Sequence, residues 1–385
     1  MRLNRRNFAT TVGTLAVLPV FGRAEPPIRA AVIGATRRGD YGHGMERVFQ
    51  HRQDVTLVAV ADADATGLAK ALKSSGAPKG YADYRQMLER EKPQVVVIAS
   101  RHTDQHHAMA IAALGMGAHL LPEKPFVTTP AEGDAILALA ERDGCRVAVA
   151  HQTRLDGSVT ELVKRQSELL GELLEVRAWG KQDAARAGGE DMMVLGTHLF
   201  DLMRLFAGDV RWCQATVTQK GKPITRASGR ITPDWVGPVA GDRVNAQFGF
   251  SGGSMGTFTS GHPWKAVLDP WGMELLGSQG MARVVMDGTQ RVYVRFGSQW
   301  GKDGKTVAWA PLVAPAAKMT GRKPVVPNGY VADDLLEAAA NRCDPACSGK
   351  NGLAVVEMVM GVYQAALKSA RVNFPLADRG SPFSL

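Results

Sequence analysis

The chain has 385 residues, more than one compact core usually organises, so two domains are expected. Hydrophobic residues make up 45% and charged residues 22% of it, a globular composition that excludes a disordered or fibrous protein. The formal charge is +9, but the sequence has no lysine- and arginine-rich block and no nucleic-acid-binding motif, so we expect a mildly basic solvated surface and no nucleic-acid partner.

The first 24 residues have the layout of a twin-arginine export signal. Arg5-Arg6-Asn7-Phe8 is followed by an apolar run at residues 12–21, and Gly22-Arg23-Ala24 offers small residues at the −3 and −1 positions of a cleavage site. The run is shorter than the roughly 20 residues that cross a bilayer, and no later stretch qualifies as a membrane helix. The sequence therefore predicts a periplasmic or extracellular protein without a membrane span; an uncleaved amphipathic anchor is the alternative.

The next part of the chain alternates short apolar runs with amphipathic stretches. Strands are predicted at residues 28–33, 55–61, 94–99, 119–121 and 146–150. Helices are predicted at residues 44–50, 65–74, 84–91, 105–115 and 130–143. This alternation predicts an α/β Rossmann domain at residues 28–150, a parallel sheet covered on both faces whose ligand lies beyond the carboxyl ends of the strands.

The first strand-to-helix turn carries a degenerate dinucleotide-binding fingerprint. Gly34 and Gly39 occupy the first and third glycine positions of GxGxxG, and Thr36 replaces the middle glycine, at which the backbone approaches the pyrophosphate. Arg37 and Arg38 lie in the same turn and are further candidate cofactor contacts.

A second set of candidate nucleotide contacts follows the next strands. Asp62 ends the second strand, somewhat beyond the usual spacing of about 20 residues from the fingerprint. A carboxylate there accepts hydrogen bonds from the adenosine ribose and repels a 2′-phosphate, so the predicted cofactor is NAD rather than NADP; a helix N-cap is the alternative role. Ser100 and His102, at the end of the third strand, are predicted to contact the nucleotide as well.

After the fourth predicted strand comes Glu123-Lys124-Pro125. With the glycine turn and the strand-end acid before it, this order resembles the Gfo/Idh/MocA family of glucose–fructose oxidoreductases and inositol dehydrogenases. The resemblance implies that Lys124 lies beside the nicotinamide ring and the reacting hydroxyl, and that Glu123 orients it. A solvated turn is the alternative for this tripeptide.

The resemblance continues in residues 188–201, a glycine-led helical segment that carries His198 and Asp201. Positions i and i+3 share a helix face, so both side chains can point the same way. The family's histidine meets the substrate opposite the lysine, which makes His198 the candidate general base and Asp201 a candidate substrate contact. The alternatives are a core histidine and an aspartate that orients a neighbour or pairs with Arg204.

One departure from the family concerns the catalytic acid. Inositol dehydrogenase-like members carry an aspartate four residues before the histidine, and Val194 stands at that position here. Glu190 and Asp191 lie nearby, and the sequence leaves open whether either takes the place of that aspartate. The inositol dehydrogenase mechanism therefore cannot be carried over whole.

Gln152, Arg154 and Trp264 are candidate substrate contacts at the predicted cleft between the domains, with hinge or packing roles as alternatives. No metal site is predicted, because Cys145, Cys213, Cys343 and Cys347 and the histidines do not form ligand clusters. Cys343 and Cys347 form a lone CxxxC, which favours free thiols over a disulfide formed after export.

The second half predicts an α+β domain, residues 151–385, with a large open, mostly antiparallel sheet. Strands are predicted at residues 172–180, 211–218, 244–250, 255–260, 272–276, 281–286 and 291–296, and helices at 333–340 and 353–370. Residues 299–329 are predicted to form an irregular excursion. The resemblance implies that one sheet face serves a homodimer or homotetramer.

The export signal bears on the reaction, because little free NAD exists outside the cytoplasm. A tightly held cofactor that is recycled in each turnover is therefore expected. The sequence favours an oxidoreductase acting on a hydroxyl of a sugar or glycoside. NAD-assisted glycoside cleavage, by transient oxidation, elimination, water addition and re-reduction, is the alternative, and a non-enzymatic binding protein is a third.

Overall fold

The first sheet is parallel and has five strands. The computed structural model describes residues 26–181, 186–261, 271–288, 291–296, 307–314 and 322–384. The strands are β1 (Ile28–Ile33), β2 (Val55–Ala61), β3 (Gly80–Tyr81), β4 (Val95–Ile98) and β5 (His119–Pro122). Their order is β3-β2-β1-β4-β5, so the glycine turn after β1 lies at the point where the strand order reverses.

Four helices cover this sheet: α1 (Ala65–Ser75), α2 (Tyr84–Glu91), α3 (His106–Leu114) and α4 (Pro130–Arg142). Local chemistry fixes where three of them begin. The Asp64 and Asp83 side chains accept the first free N–H groups of α1 and α2. Thr129 and Glu132 form a reciprocal capping box at the start of α4. The predicted Rossmann architecture is confirmed.

Two predicted elements differ from the structure. Residues 146–150 form only isolated bridges, Leu120 to Val147 and Ala148 to Ser348, because this segment lies between β5 and the start of the last helix; the fifth strand is β3, at the opposite edge. The predicted helix at 44–50 is a 3₁₀ turn, Gly42–Arg47, in which His43 and Gly44 have left-handed backbone angles.

The second sheet has ten strands. These are β6 (Leu173–Trp179), β7 (Val210–Gln219), β8 (Lys222–Pro223), β9 (Arg243–Phe250), β10 (Met255–Gly261), β11 (Gly272–Gly277), β12 (Gly280–Val285), β13 (Val292–Phe296), β14 (Ala310–Pro311) and β15 (Val372–Asn373). Among the described strands of this sheet, only β6 and β10 pair in parallel, so the predicted mostly antiparallel sheet is confirmed.

Helices pack on one face of this sheet and leave the other open. They are α5 (Gly157–Lys164), α6 (Gln166–Leu170), α7 (Gly189–Asp191), a π-helical turn (Met192–Gly196), α8 (Thr197–Ala207) and α10 (Gly349–Lys368). Helix α9 (Asn328–Asn341) packs instead on the parallel sheet. In β9, alternate residues are exposed and buried, which is the pattern of a sheet covered on one side.

The last helices join the two halves. Val331 and Leu335 of α9 pack with Val32 and Val97 of the parallel sheet, so the chain returns to the nucleotide domain after completing the second sheet. Val356 of α10 reaches the core on the other face of that sheet. These packed helices hold the domains together around the cleft. Within the described ranges, no helix is both long and apolar enough to cross a membrane.

Candidate active site

A cavity of about 270 Å³ lies at the carboxyl ends of β1 and β2. Gly34, Thr36, Arg38 and Asp62 line it, as the sequence predicted for a nucleotide site. The buried Asp62 carboxylate accepts hydrogen bonds from the Thr36 N–H (3.1 Å), the Thr36 hydroxyl (2.7 Å) and the Asp64 N–H (3.0 Å). Asp62 therefore does not cap α1, since Asp64 does.

The glycine turn packs directly on the end of β4. Gly39 has φ of +86°, and a Cβ there would lie 2.5 Å from the backbone nitrogen of Arg101, so only glycine fits. The ring of Tyr41 covers Gly34, and its hydroxyl faces Asp62. Burial, and then the Asp62 charge, raise the pKa of Tyr41 far above its usual value. Tyr41 is a site residue that the sequence reasoning missed.

Ser100 and His102 are buried beside the glycine turn, where a nucleotide contact was predicted. The Nδ1 atom of His102 is buried and has no hydrogen-bond partner, and burial lowers the pKa of this imidazole. The neighbouring His106 places one ring nitrogen 2.7 Å from the Ser100 carbonyl and the other 3.0 Å from the Phe126 carbonyl. His106 thereby ties the end of β4 to the turn that carries Lys124.

These features fit a dinucleotide. The cavity sits at the switch point of the parallel sheet, a buried carboxylate lines it, and the close-packed glycine turn brings backbone to its edge. Arg37 is the exception among the predicted contacts: its side chain is 84% exposed and its guanidinium lies 3.4 Å from Asp64, at the rim.

The Glu123-Lys124-Pro125 segment lies at the centre of the cleft. Glu123 is fully buried and pairs with the half-exposed imidazole of His43, a second residue missed from sequence. Burial opposes ionisation of Glu123, but His43 and the adjacent Lys124 outweigh it and lower its pKa. The Glu123 carboxylate also accepts the N–H of Lys124 at 2.6 Å, which orients this turn.

Lys124 links the two domains. Its Nζ donates a hydrogen bond of 3.0 Å to the carbonyl of Val194, in the π-helical turn of the second domain. The side chain is 5% exposed, and burial lowers the pKa of its ammonium group despite the Glu123 charge. A π-helical turn frequently marks a functional site, and this one directly precedes His198.

His198 lies in the first turn of α8 and is 7% exposed. Its Nδ1 atom has no hydrogen-bond partner, and its ring meets those of His151 and Trp271 edge-on, at centroid distances of 5.7 Å and 6.3 Å. Burial, followed by the charges of Lys124 and His151, holds the pKa of His198 well below its usual value. The predicted lysine and histidine are thus brought together.

Asp201 and Arg154 contact each other. The Arg154 guanidinium makes bonds of 2.7 Å and 3.0 Å to the Asp201 carboxylate and a third, of 3.1 Å, to its carbonyl. Both side chains are buried. The alternative partner for Asp201, Arg204, instead pairs with Asp209. Roles of Arg154 and Asp201 in contacting substrate stay predictions.

Glu190 and Asp191 face different surroundings. Asp191 accepts a hydrogen bond of 2.6 Å from the Ser260 hydroxyl, against the second sheet. Glu190 faces Arg230 (3.9 Å), and burial and then the charge of Asp234 raise the pKa of its carboxyl. Val194, at the position of the family's aspartate, packs against the apolar core.

A short loop from the second domain, residues 232–237, crosses to the nucleotide domain; we call it the clasp. The carbonyl of Trp235 accepts hydrogen bonds from the N–H and hydroxyl of Thr103, at 3.1 Å and 3.2 Å. The guanidinium of Arg38, which lines the nucleotide cavity, lies 5.0 Å from the centroid of the Trp235 ring. Gly237 packs on Thr128.

Gln152 is half-buried in the 3₁₀ turn Gln152–Leu155, which follows residues 146–150. Trp264 lies outside the described residues, as does the predicted export signal. All four cysteines are free thiols; Cys343 is exposed and Cys347 is buried. Across the described part of the chain, no group of three or more His, Cys, Asp or Glu side chains is placed to hold a metal ion.

Comparison with known families agrees with this site. Residues 28–151 match the family described as "Oxidoreductase family, NAD-binding Rossmann fold", and residues 160–374 match its C-terminal alpha/beta domain. The chain therefore belongs to the Gfo/Idh/MocA family of NAD-binding oxidoreductases, as the resemblance predicted, and its cofactor is NAD.

Among curated relatives, the D-apiose dehydrogenase of Paraburkholderia graminis is 22% identical over 367 residues, 92% of each chain. The D-glucoside 3-dehydrogenase of Escherichia coli is 28% identical over 190 residues, 46% of this chain, and the match spans 52% of that relative. The solved structure of a levoglucosan dehydrogenase with NADH and levoglucosan superposes with a TM-score of 0.72 at 20% identity, covering 91% of this chain and 99% of that one. This likeness shows a shared fold.

Proposed function

We propose that this protein oxidises a hydroxyl group of a sugar or glycoside and keeps its NAD bound between turnovers. The observation that carries the proposal is the meeting of Lys124, from the nucleotide domain, with the π-helical turn that presents His198. A donor and a neutral imidazole in one buried cleft form the pair that hydroxyl oxidation needs.

Each of these residues has its own role in the proposed reaction. His198 removes the hydroxyl proton, since burial and neighbouring charges favour its neutral form. The Lys124 ammonium donates to the same oxygen and stabilises the negative charge that develops there. Bound NAD supplies the hydride acceptor. Glu123 holds the turn of Lys124.

Retention of the cofactor is supported by the clasp. Its hydrogen bonds to Thr103 and its contact with Arg38 would have to break before the nucleotide cavity could open fully on that side. A retained cofactor must be re-oxidised in place, so a second carbonyl-bearing sugar is the expected hydride acceptor. This fits the proposed export of the protein by the twin-arginine route to the periplasm or the extracellular space.

We also propose that the protein assembles as a homodimer or homotetramer through the open face of the second sheet. Its exposed residues around a shallow depression are small or uncharged: Gln214, Thr216, Asn245, Gln247 and Thr257. Arg177 and Glu274 lie on the same face of the neighbouring strands, paired with Glu175 and Arg283. The uncharged patch beside them can pack against a copy of itself without burying charge. Light scattering of the mature protein, and of a variant with Asn245→Lys, tests this assembly.

Glycoside cleavage is a second candidate function, and Glu190 favours it. Burial raises the pKa of this carboxyl, so the group is suited to protonate a leaving glycosidic oxygen. Glu190 lies in α7, which runs into the π-helical turn whose Val194 carbonyl accepts the hydrogen bond from Lys124.

A near-ultraviolet titration of the purified protein without added NAD tests the proposed function. Free sugars and aryl glycosides are added in turn, and Lys124→Met is compared with Lys70→Met, which changes an exposed lysine on α1. A reduced-nicotinamide band that persists until a carbonyl sugar is added, and is lost in Lys124→Met alone, supports the proposal. Release of free sugar from a glycoside with at most a fleeting band supports cleavage instead. No band and no product would overturn both.

A further inference from the structure

His151 is a buried histidine whose two ring nitrogens, Nδ1 and Nε2, make no hydrogen bond in the described structure. It lies at the boundary between the two domains and is 2% exposed. A buried imidazole carries at least one N–H, and such groups are normally paired because leaving them unpaired destabilises the folded state. The position therefore calls for an explanation.

Its neighbours supply one. Nδ1 of His151 lies 4.0 Å from Oδ1 of Asp201, and its ring meets that of His198 edge-on at 5.7 Å. His198 in turn has a buried Nδ1 without a partner. Asp201, His151 and His198 thus lie in a row. The facing polar atoms of neighbouring side chains lie beyond hydrogen-bond distance of each other.

The two ends of this row are fixed. The Asp201 carboxylate is held by two bonds from Arg154. The backbone of His151 is held by its own N–H on the Val149 carbonyl (2.6 Å) and by the Cys347 thiol on its carbonyl (3.6 Å). Rotation of the imidazole about its side-chain bonds is therefore the motion left to close the gaps.

We propose that His151 is a positioning residue that links Asp201 to His198 and takes the place of the acid missing at Val194. The Nδ1–H of His151 donates to Asp201, and its Nε2 accepts the Nδ1–H of His198. This arrangement leaves Nε2 of His198 as the atom that takes the hydroxyl proton. When that proton arrives, His198 becomes an imidazolium whose charge is balanced by Asp201 through His151, and no other proton moves.

The proposal rests on the proposed role of His198 as the general base. The charged and titratable groups that act on His198 are Lys124, His151, His43 and Arg291, and those that act on His151 are Asp201, Arg154, Lys124 and Glu123. Among these groups, Asp201 and Glu123 carry negative charge, and Glu123 is engaged by His43.

The test uses the full chain as purified, labelled with ¹⁵N-histidine, with no sugar present, so its result does not depend on which substrate the enzyme takes. The link predicts that His198 carries its proton on Nδ1 in the unsubstituted protein. Finding the proton on Nε2 instead would overturn the proposal before any variant is made.

Substitutions then distinguish a hydrogen-bonded link between His151 and His198 from two imidazoles that act independently. His151→Phe removes the path to Asp201, so the titration of His198 should move to lower pH and kcat should fall roughly 10- to 100-fold with KM little changed. His151→Gln should recover most of the loss, because its amide can donate to Asp201 and accept from His198. His107→Gln, on α3 outside the site, is the control. If His198 instead titrates at higher pH in His151→Phe, or if His151→Gln is no better than His151→Phe, the link is wrong. Sugar oxidation by the unsubstituted enzyme is measured separately, so failure of the proposed function would not be mistaken for failure of the link.

Discussion

The proposed chemistry depends on Lys124 and His198, and the sequence had already indicated both as candidate catalytic residues. The Glu123-Lys124-Pro125 motif and the histidine-bearing segment were informative because they stand in a fixed order along the chain. The sequence reasoning missed residues that a local turn of the backbone brings to the site. His43 contacts Glu123 from a turn in which His43 and Gly44 have left-handed backbone angles. The local sequence does not predict that turn.

The pH dependence follows from the two shifts in pKa. His198 must be neutral to accept a proton, and its pKa lies well below its usual 6.5, so activity is retained down to lower pH than an ordinary histidine would allow. Lys124 must be protonated to donate, and its pKa lies below its usual 10.5, so activity is lost earlier as pH rises. A kcat/KM profile with both limbs displaced towards acid is expected. An acid limb at or above 6.5 would contradict the assignment of His198.

The buried pair of Arg154 and Asp201 allows a test of stability at the level of single residues. Arg154→Met leaves the Asp201 carboxylate buried without its partner, so the free energy of unfolding should fall by about 3–5 kcal/mol in urea titrations. Adding Asp201→Leu to this variant should recover most of that loss, because no charge is then left buried. A loss below about 1 kcal/mol in Arg154→Met would mean that the carboxylate finds another partner or water.

At the scale of elements, the hydrophobic pattern predicted most of the fold. Continuous apolar runs predicted β1, β2, β4 and β5, and seven of the ten strands of the second sheet were also predicted; the two-residue strands β8, β14 and β15 were not. Elements set by tertiary contact were missed or misplaced. The two-residue strand β3 is too short to show a pattern, and residues 146–150 are apolar because they are buried between β5 and the last helix.

The π-helical turn and the clasp were also beyond sequence reasoning. The turn Met192–Gly196 has an ordinary helical composition, and its wider winding shows only in the backbone. Nothing was predicted for the clasp, residues 232–237, whose partners Thr103 and Arg38 belong to the other domain. Such contacts between distant segments are decided by how the domains pack.

The clasp makes a prediction about cofactor release. Trp235 has a left-handed backbone (φ of +45°), so Trp235→Gly removes the ring without straining the loop. Loss of the contact with Arg38, worth about 1 kcal/mol, should speed dissociation of NAD roughly fivefold, measured by trapping released nucleotide. Trp309→Gly removes another tryptophan stacked with arginines, Arg283 and Arg295, and is the matched control. Equal release rates in the two variants would argue against a role for the clasp.

At the scale of the whole molecule, the two domains contribute one half of the site each. The nucleotide cavity, Asp62 and Lys124 belong to the parallel sheet, and His198 belongs to the helix that follows the π-helical turn. Helix α10 packs against the cores of both domains, through Val355 and Met358 on the second sheet and Val356 on the parallel sheet, and so holds the two halves together. For the proposed hydroxyl oxidation, the two domains together supply a donor, a base and the residues that would hold NAD.

The most direct measurement is transfer of deuterium from sugar to protein-held nucleotide. Purified protein with no added NAD is mixed with glycosides deuterated at each ring carbon in turn, and the nucleotide released by denaturation is examined by mass spectrometry. We predict that the protein releases NAD, that one labelled position yields reduced nucleotide one mass unit heavier, and that Lys124→Met yields none. Release of NAD that stays oxidised and unlabelled with every glycoside would contradict the proposed sugar oxidation.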